Sequence, residues 1–207
     1  MSTRFRPLEP LGWRWLKGLG LVAAAAYVFS PVFSGGWLWD DDTEITGNPA
    51  LRSIHGLGDI WSGRAGADYF PLKTTLQWCQ WHLWDDRVLG YHLTNVGLHV
   101  LGAMLLWRLV ASLGIKWAWF AGLLFVVHPL TVESVAWISE LKNVLSLPLL
   151  LGAMIYYVDW EGRAGRLAPP GTPATPNGPG GLPRPHYARC PRSGNSRTPE
   201  RNRDWDD

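Results

Sequence analysis

The feature that most constrains this chain is a run of eighteen residues, 16–33, that carries no charge apart from Lys17 near its start. As a helix rising about 1.5 Å per residue it would reach roughly 27 Å, close to the hydrocarbon thickness of a bilayer. A basic stretch with Arg4, Arg6 and Arg14 precedes it, so a secretory signal peptide competes with a retained span. The length of the run and the lack of an Ala-x-Ala site after it favour the span. A second run, 91–113, and two further apolar stretches within 117–158 repeat the pattern. Whether 117–158 makes two full spans or one span and a re-entrant piece stays open from composition. Tryptophan supports a membrane setting: 14 of the 207 residues are Trp, clustered beside apolar runs, and an indole suits the boundary between oil and water.

Basic residues orient the chain. Arg4, Arg6, Arg14 and Lys17 lie at its start, Arg108 and Lys116 flank the second turn, and eight arginines follow residue 158. An even number of spans places all three groups on the cytoplasmic side. The expected fold is therefore an all-α integral membrane protein with about four transmembrane helices. Its N-terminus and C-terminal tail are cytoplasmic and its first loop, 34–90, is extracytoplasmic. The membrane is a bacterial inner membrane or its equivalent. A net charge of only +2 gives no reason to expect nucleic acid. Cys79 and Cys190 fall on opposite sides of the membrane, which excludes a disulfide framework.

Within the first loop, Leu51, Ile54, Leu57, Ile60 and Trp61 recur at spacings of three and four, and 72–84 repeats the pattern with Leu76, Trp78, Trp81, Leu83 and Trp84. Both read as amphipathic helices able to lie on a membrane surface. The tail, 159–207, is rich in Pro, Gly and Arg and is expected to be disordered, because it cannot bury enough apolar area to offset chain entropy. Either it touches anionic lipid or it reflects a lost reading frame.

Asp40, Asp41, Asp42 and Glu44 place four carboxylates just beyond the first span. Composition alone reads them as a solvated turn closed by Gly47-Asn48-Pro49. Such a cluster also sits where a membrane-bound donor and a water-side acceptor could meet. In the second span His92, Asn95 and His99 share one helical face, which favours interhelical hydrogen bonding, with Asn95 as glue, over a metal site or a pore. His128-Pro129 ends the third apolar stretch, and the segment after it, with Glu133, Glu140 and Lys142, is too polar to face lipid. Locally, His128 would cap a helix end and Lys142 would snorkel at the interface.

Four stretches taken together resemble one family: Trp39-Asp40-Asp41-Asp42 with Asn48-Pro49; Tyr69-Phe70-Pro71-Leu72; Tyr91-His92-Leu93-Thr94-Asn95; and His128-Pro129-Leu130-Thr131-Val132-Glu133-Ser134-Val135-Ala136-Trp137 continuing to Lys142-Asn143. In this order they resemble the N-terminal part of transmembrane and tetratricopeptide-repeat proteins, which are similar to protein O-mannosyltransferases of the GT-C type. The resemblance covers residues 15–160. It implies a membrane glycosyltransferase that moves a sugar from a polyprenyl-phosphate donor to a Ser or Thr hydroxyl of a protein acceptor. It implies an acidic residue of the first loop as catalytic group: Asp41 first, then Asp42 and Asp40. That carboxylate either removes the hydroxyl proton during attack or holds a divalent cation on the leaving phosphate. No other cofactor is implied. His128, Glu133, Lys142 and Asn95 would bind carrier or acceptor. Two departures stand out: Lys73 replaces a small hydroxyl residue, and no 34-residue repeat is visible. The alternative is a non-catalytic membrane assembly protein or an inactive fragment.

Overall fold

The computed structural model describes residues 11–66 and 68–167. Among these residues every regular element is helical and no strand occurs. Helix α1 covers Leu11–Val28 and passes into a 3-10 turn, Ser30–Ser34, where Pro31 occupies the first turn. The acidic stretch forms one turn of π-helix, Asp42–Thr46, before the short helices α2, Pro49–Arg52, and α3, Gly56–Trp61. Helix α4, Pro71–Trp84, starts at a proline whose missing N–H costs nothing there. Helix α5, Val88–Ser112, ends against Gly114, whose φ of +81° is a conformation that favours glycine.

Helix α6, Ala118–Val127, stops at His128, since Pro129 cannot continue its hydrogen-bond ladder. After a 57° bend the chain forms the turn Pro129–Thr131 and helix α7, Val132–Ala136. Helix α8 then runs over Leu141–Leu167, through Pro148 without interruption.

Two helical stretches, Val88–Ser112 and Ile138–Arg163, are long and apolar enough to cross a membrane, and the bent pair Ala118–Val127 with Pro129–Ala136 makes a third if it counts as one span. This suits an integral membrane protein. Helix α1 does not join them by length and composition, because its eighteen residues include Arg14 and Lys17. The boundary expected at residue 158 also moves: α8 continues nine residues further, to Leu167. The rest of the tail, with Cys190, lies outside the described residues.

The main core joins Leu21 and Ala25 of α1, and Phe29 just beyond it, to Val96, Val100 and Ala103 of α5, Val126 of α6 and Leu141 of α8. Helices α5 and α6 approach closely at Gly122, where a β-carbon would lie 2.9 Å from the Ala103 carbonyl oxygen. Small residues permit such contacts between apolar helices. Asn95 is buried and donates from Nδ2 to the carbonyls of Val135 (3.3 Å) and Trp137 (3.2 Å), tying α5 to the segment beyond the bend.

The first loop has a separate core of Ile45, Leu51, Ile60, Tyr91 and Ile138. The stripe expected over 51–61 is split, because the turn at 53–55 separates α2 from α3. Leu51 and Ile60 are buried, while Ile54 and Trp61 are exposed. In α4 the outcome inverts the usual pattern. Lys73, Gln77 and Gln80 turn inward, Leu72 and Leu83 are exposed, and Trp78, Trp81 and Trp84 pack at the margin of the loop core.

The two glycines of α3 provide a matched test of this loop. A β-carbon on Gly56 would lie 1.7 Å from the Ala50 carbonyl oxygen, whereas Gly58 has open space. Gly56→Ala should destabilise by about 1–3 kcal/mol. Gly58→Ala should be neutral or stabilise by about 0.4–1 kcal/mol. Thermal unfolding of the two variants in detergent checks this, and equal midpoints would contradict the α2–α3 packing.

Candidate functional site

The three aspartates of the acidic stretch occupy three different environments. Asp41 is fully buried. Its Oδ2 accepts from the Leu38 amide (3.0 Å), and its Oδ1 accepts from both the Ser139 amide (2.8 Å) and the Ser139 hydroxyl (2.5 Å). Burying a carboxylate is costly unless donors replace its water, and three donors do so here. Asp40 is half-buried and accepts on Oδ1 from the Trp137 indole N–H at 3.1 Å. Asp42 is exposed and takes a local bond from the Thr46 hydroxyl at 3.3 Å.

These bonds fasten the first loop to residues 137–139, almost a hundred positions away. Trp39 reinforces the junction. Its ring meets that of Trp137 edge to face, with centroids 4.8 Å apart, and it sits at φ +48°, a strained conformation for a bulky residue.

Beside this junction lies a cavity of about 370 Å³ lined by Asp40, Glu44, Asp68, Lys73 and Gln77, among others. Its volume falls within the roughly 300–1,000 Å³ typical of ligand sites. Lys73 has a buried side chain and forms an ion pair with Glu44. Asn48 fixes the opposite wall: its Oδ1 accepts from the Ala50 amide (3.0 Å) and its Nδ2 donates to the Ala65 carbonyl (3.1 Å). Gln77 lines the cavity as well, and its amide nitrogen is buried with no hydrogen-bond partner among the described residues.

The residues expected to bind carrier or acceptor separate. Lys142 lies near the cavity: its ammonium is 5.7 Å from the centre of the Phe70 ring, part of the cavity wall, and it bonds to Glu140 at 3.0 Å. Glu44 and Asp68 also act on it electrostatically. His128 is exposed and caps its own turn, with Nδ1 accepting from the Leu130 amide at 3.3 Å. Glu133 is exposed in the first turn of α7. Neither lines the cavity. Asn95 is an interhelical tie, as described above.

The expectation that Asp41 is the reactive carboxylate meets a physical obstacle, since both its oxygens are already engaged by protein donors. Asp40 is the aspartate that reaches both the cavity and the junction. Among the described residues no three His, Cys, Asp or Glu side chains converge as a metal-ligand set. The Lys73 ammonium already occupies Glu44.

Sequence reasoning placed none of Asp68, Lys73 and Gln77 in a site, and all three line the cavity. The available signal was the polar series Lys73, Gln77 and Gln80, at intervals of four and three along an otherwise aromatic and apolar helix.

If Asp41 is a tie and Asp40 is not, the two should differ in stability. Asp41→Ala leaves three donors unmet, the two on Ser139 buried, and should cost about 2–4 kcal/mol. Asp40→Ala should cost less than about 1.5 kcal/mol. Unfolding midpoints of the two variants in the same detergent decide it, and equal losses would contradict the assignment.

A comparison with known proteins relates the chain to a protein O-mannosyl-transferase from Caenorhabditis elegans, at 26% identity over 153 residues. The match covers 67% of this chain and 22% of that protein, so the chain spans about a fifth of its relative's length. No family profile matches the chain. No solved structure matches it either. The relationship these findings carry is a distant, O-mannosyltransferase-like one.

Proposed function

We propose that this chain belongs to a membrane glycosyltransferase in which the cavity at Asp40 receives the protein acceptor. The single observation behind this is that Asp40 lines the cavity while its neighbour Asp41 is bonded to Ser139. A reactive carboxylate has to be held still at the edge of a space that a substrate can enter. The distant O-mannosyl-transferase relative supports a sugar as the transferred group. In this reading α1 and the bent pair α6–α7 join the two long helices as spans of a four-span, GT-C-like arrangement. A polyprenyl-phosphate sugar enters from the bilayer.

In the proposed step a Ser or Thr hydroxyl of the acceptor attacks the anomeric carbon of the donor sugar. Asp40 takes the hydroxyl proton as the new carbon–oxygen bond forms. The bond from the anomeric carbon to the phosphate oxygen breaks, and its electron pair leaves with the polyprenyl phosphate. Trp137 holds one oxygen of Asp40, fixing the direction of the carboxylate. Lys142 supplies the positive charge for the leaving phosphate, with Glu140 setting its position.

The test is sugar transfer from polyprenyl-phosphate mannose to a Thr-containing peptide, measured in membranes bearing the chain. Asp40→Asn should lower transfer by about 100-fold or more while leaving the unfolding midpoint nearly unchanged. Transfer that survives in Asp40→Asn would contradict the role of Asp40. A wild-type chain that transfers nothing would favour the reading as a non-catalytic membrane assembly protein.

A further inference from the structure

Trp39 occupies a position where its side chain is costly. The Asp41 amide donates to the Leu38 carbonyl at 2.9 Å, closing a tight turn with Trp39 at its first inner position, and Trp39 sits there at φ +48°. A positive φ at that position favours glycine or asparagine, which adopt it with little strain. Glycine would close the turn more easily than an indole. The ring is 77% exposed, and it meets Trp137 edge to face with centroids 4.8 Å apart. The gain from such a ring pair is at most comparable to the cost of the strain.

The conformation does, however, aim the ring. Trp137 also donates its indole N–H to Asp40 Oδ1 at 3.1 Å, so both rings and the Asp40 carboxylate are held as one set. Trp39 stands outside the cavity lining, which leaves its exposed face for something other than the acceptor. An open indole face is apolar and electron-rich. It suits the C–H face of a sugar, a soft cation or the bilayer boundary. Lipid fits poorly here, because the next residue along is Asp40 and Asp42 is exposed, and carboxylates resist transfer into hydrocarbon. A resident cation would neutralise the carboxylate that the transfer step uses as base. A sugar brings weakly positive C–H groups to the ring and hydroxyls to the carboxylate.

We propose that Trp39 is the platform for the donor sugar, its exposed indole face stacking on the pyranose C–H groups beside Asp40. The inference rests on the reading of Asp40 as the reactive carboxylate of a sugar transfer, and it adds the residue that positions the sugar.

The experiment uses the full chain in nanodiscs, whose lipids carry no aromatic protons, with methyl α-mannosyl phosphate as probe. Irradiating the aromatic protons of the wild-type protein should transfer saturation to the C–H protons of the sugar ring. Trp39→Phe should keep that signal and Trp39→Gly should lose it. The Trp39→Gly unfolding midpoint should stay near that of the wild type, because glycine relieves the strain. In membranes, Trp39→Gly should raise KM for polyprenyl-phosphate mannose about fivefold, the scale of one ring contact, and leave KM for the Thr peptide unchanged. A sugar signal undiminished in Trp39→Gly, or absent from every form, would overturn the proposal. So would saturation of choline methyl protons in place of the sugar's, which would assign the ring to a cation. A Trp39→Gly midpoint that falls in nanodiscs alone would assign the ring to lipid, and one that falls in detergent as well would make it a structural need of the turn; either would overturn the platform. Sugar binding through Trp39 by a chain that transfers nothing would keep the platform and remove the transferase reading. Transfer with both KM values unmoved by Trp39→Gly would do the reverse.

Discussion

The interaction on which the site depends is the buried carboxylate of Asp41, shared between the Leu38 amide and the amide and hydroxyl of Ser139. It joins two segments that the sequence keeps far apart, and it does so out of reach of water. A charge in that position is tolerable only while all its donors remain in place, so the bond set is cooperative. Loosening Ser139 would leave Asp41 exposed to its desolvation cost, and losing Asp41 would orphan the Ser139 and Leu38 groups. The same junction carries the Trp39–Trp137 ring contact and the indole bond to Asp40. Asp40 thereby inherits a fixed position from its neighbour.

Helix α4 reverses the usual sense of amphipathicity. In water, Lys73, Gln77 and Gln80 would face out and the aliphatic residues would face in. Here the polar series is buried and Leu72 and Leu83 are exposed. The buried ion pair of Lys73 with Glu44 then belongs to the cavity wall. It is a weak source of stability, because desolvation offsets much of its attraction. Its consequence is that the ammonium sits among carboxylates and sets the charge of the cavity.

Much of the fold was legible because it rests on periodic apolar runs. The long helix through 91–113, the proline stop at His128-Pro129 and the inward face of His92, Asn95 and His99 all follow from local pattern. The break at 53–55 was not legible, since Leu51, Ile54, Leu57, Ile60 and Trp61 keep helical spacing across a turn. Helix α8 outruns its expected boundary, and Asp159 on it pairs with Arg108 on α5 (3.2 Å), a contact between distant positions. The site was half legible. The acidic stretch announced itself, but which aspartate is tied and which faces the cavity depends on Ser139 and Trp137, and no spacing rule links those residues to 40 and 41. His128 and Glu133 draw attention by their motif; both lie exposed, His128 bonded within its own turn and Glu133 in the first turn of α7.

The most direct measurement of the central claim is a double-mutant cycle between Asp41→Ala and Ser139→Ala, read as unfolding free energies in one detergent. A coupling of at least about 1 kcal/mol is expected, within the usual range for hydrogen-bonded neighbours, because Ser139→Ala removes a bond that exists only while Asp41 is present. Additive losses, with no coupling, would mean that the first loop is not fastened to residue 139. The proposed division between a structural Asp41 and a reactive Asp40 would then fall.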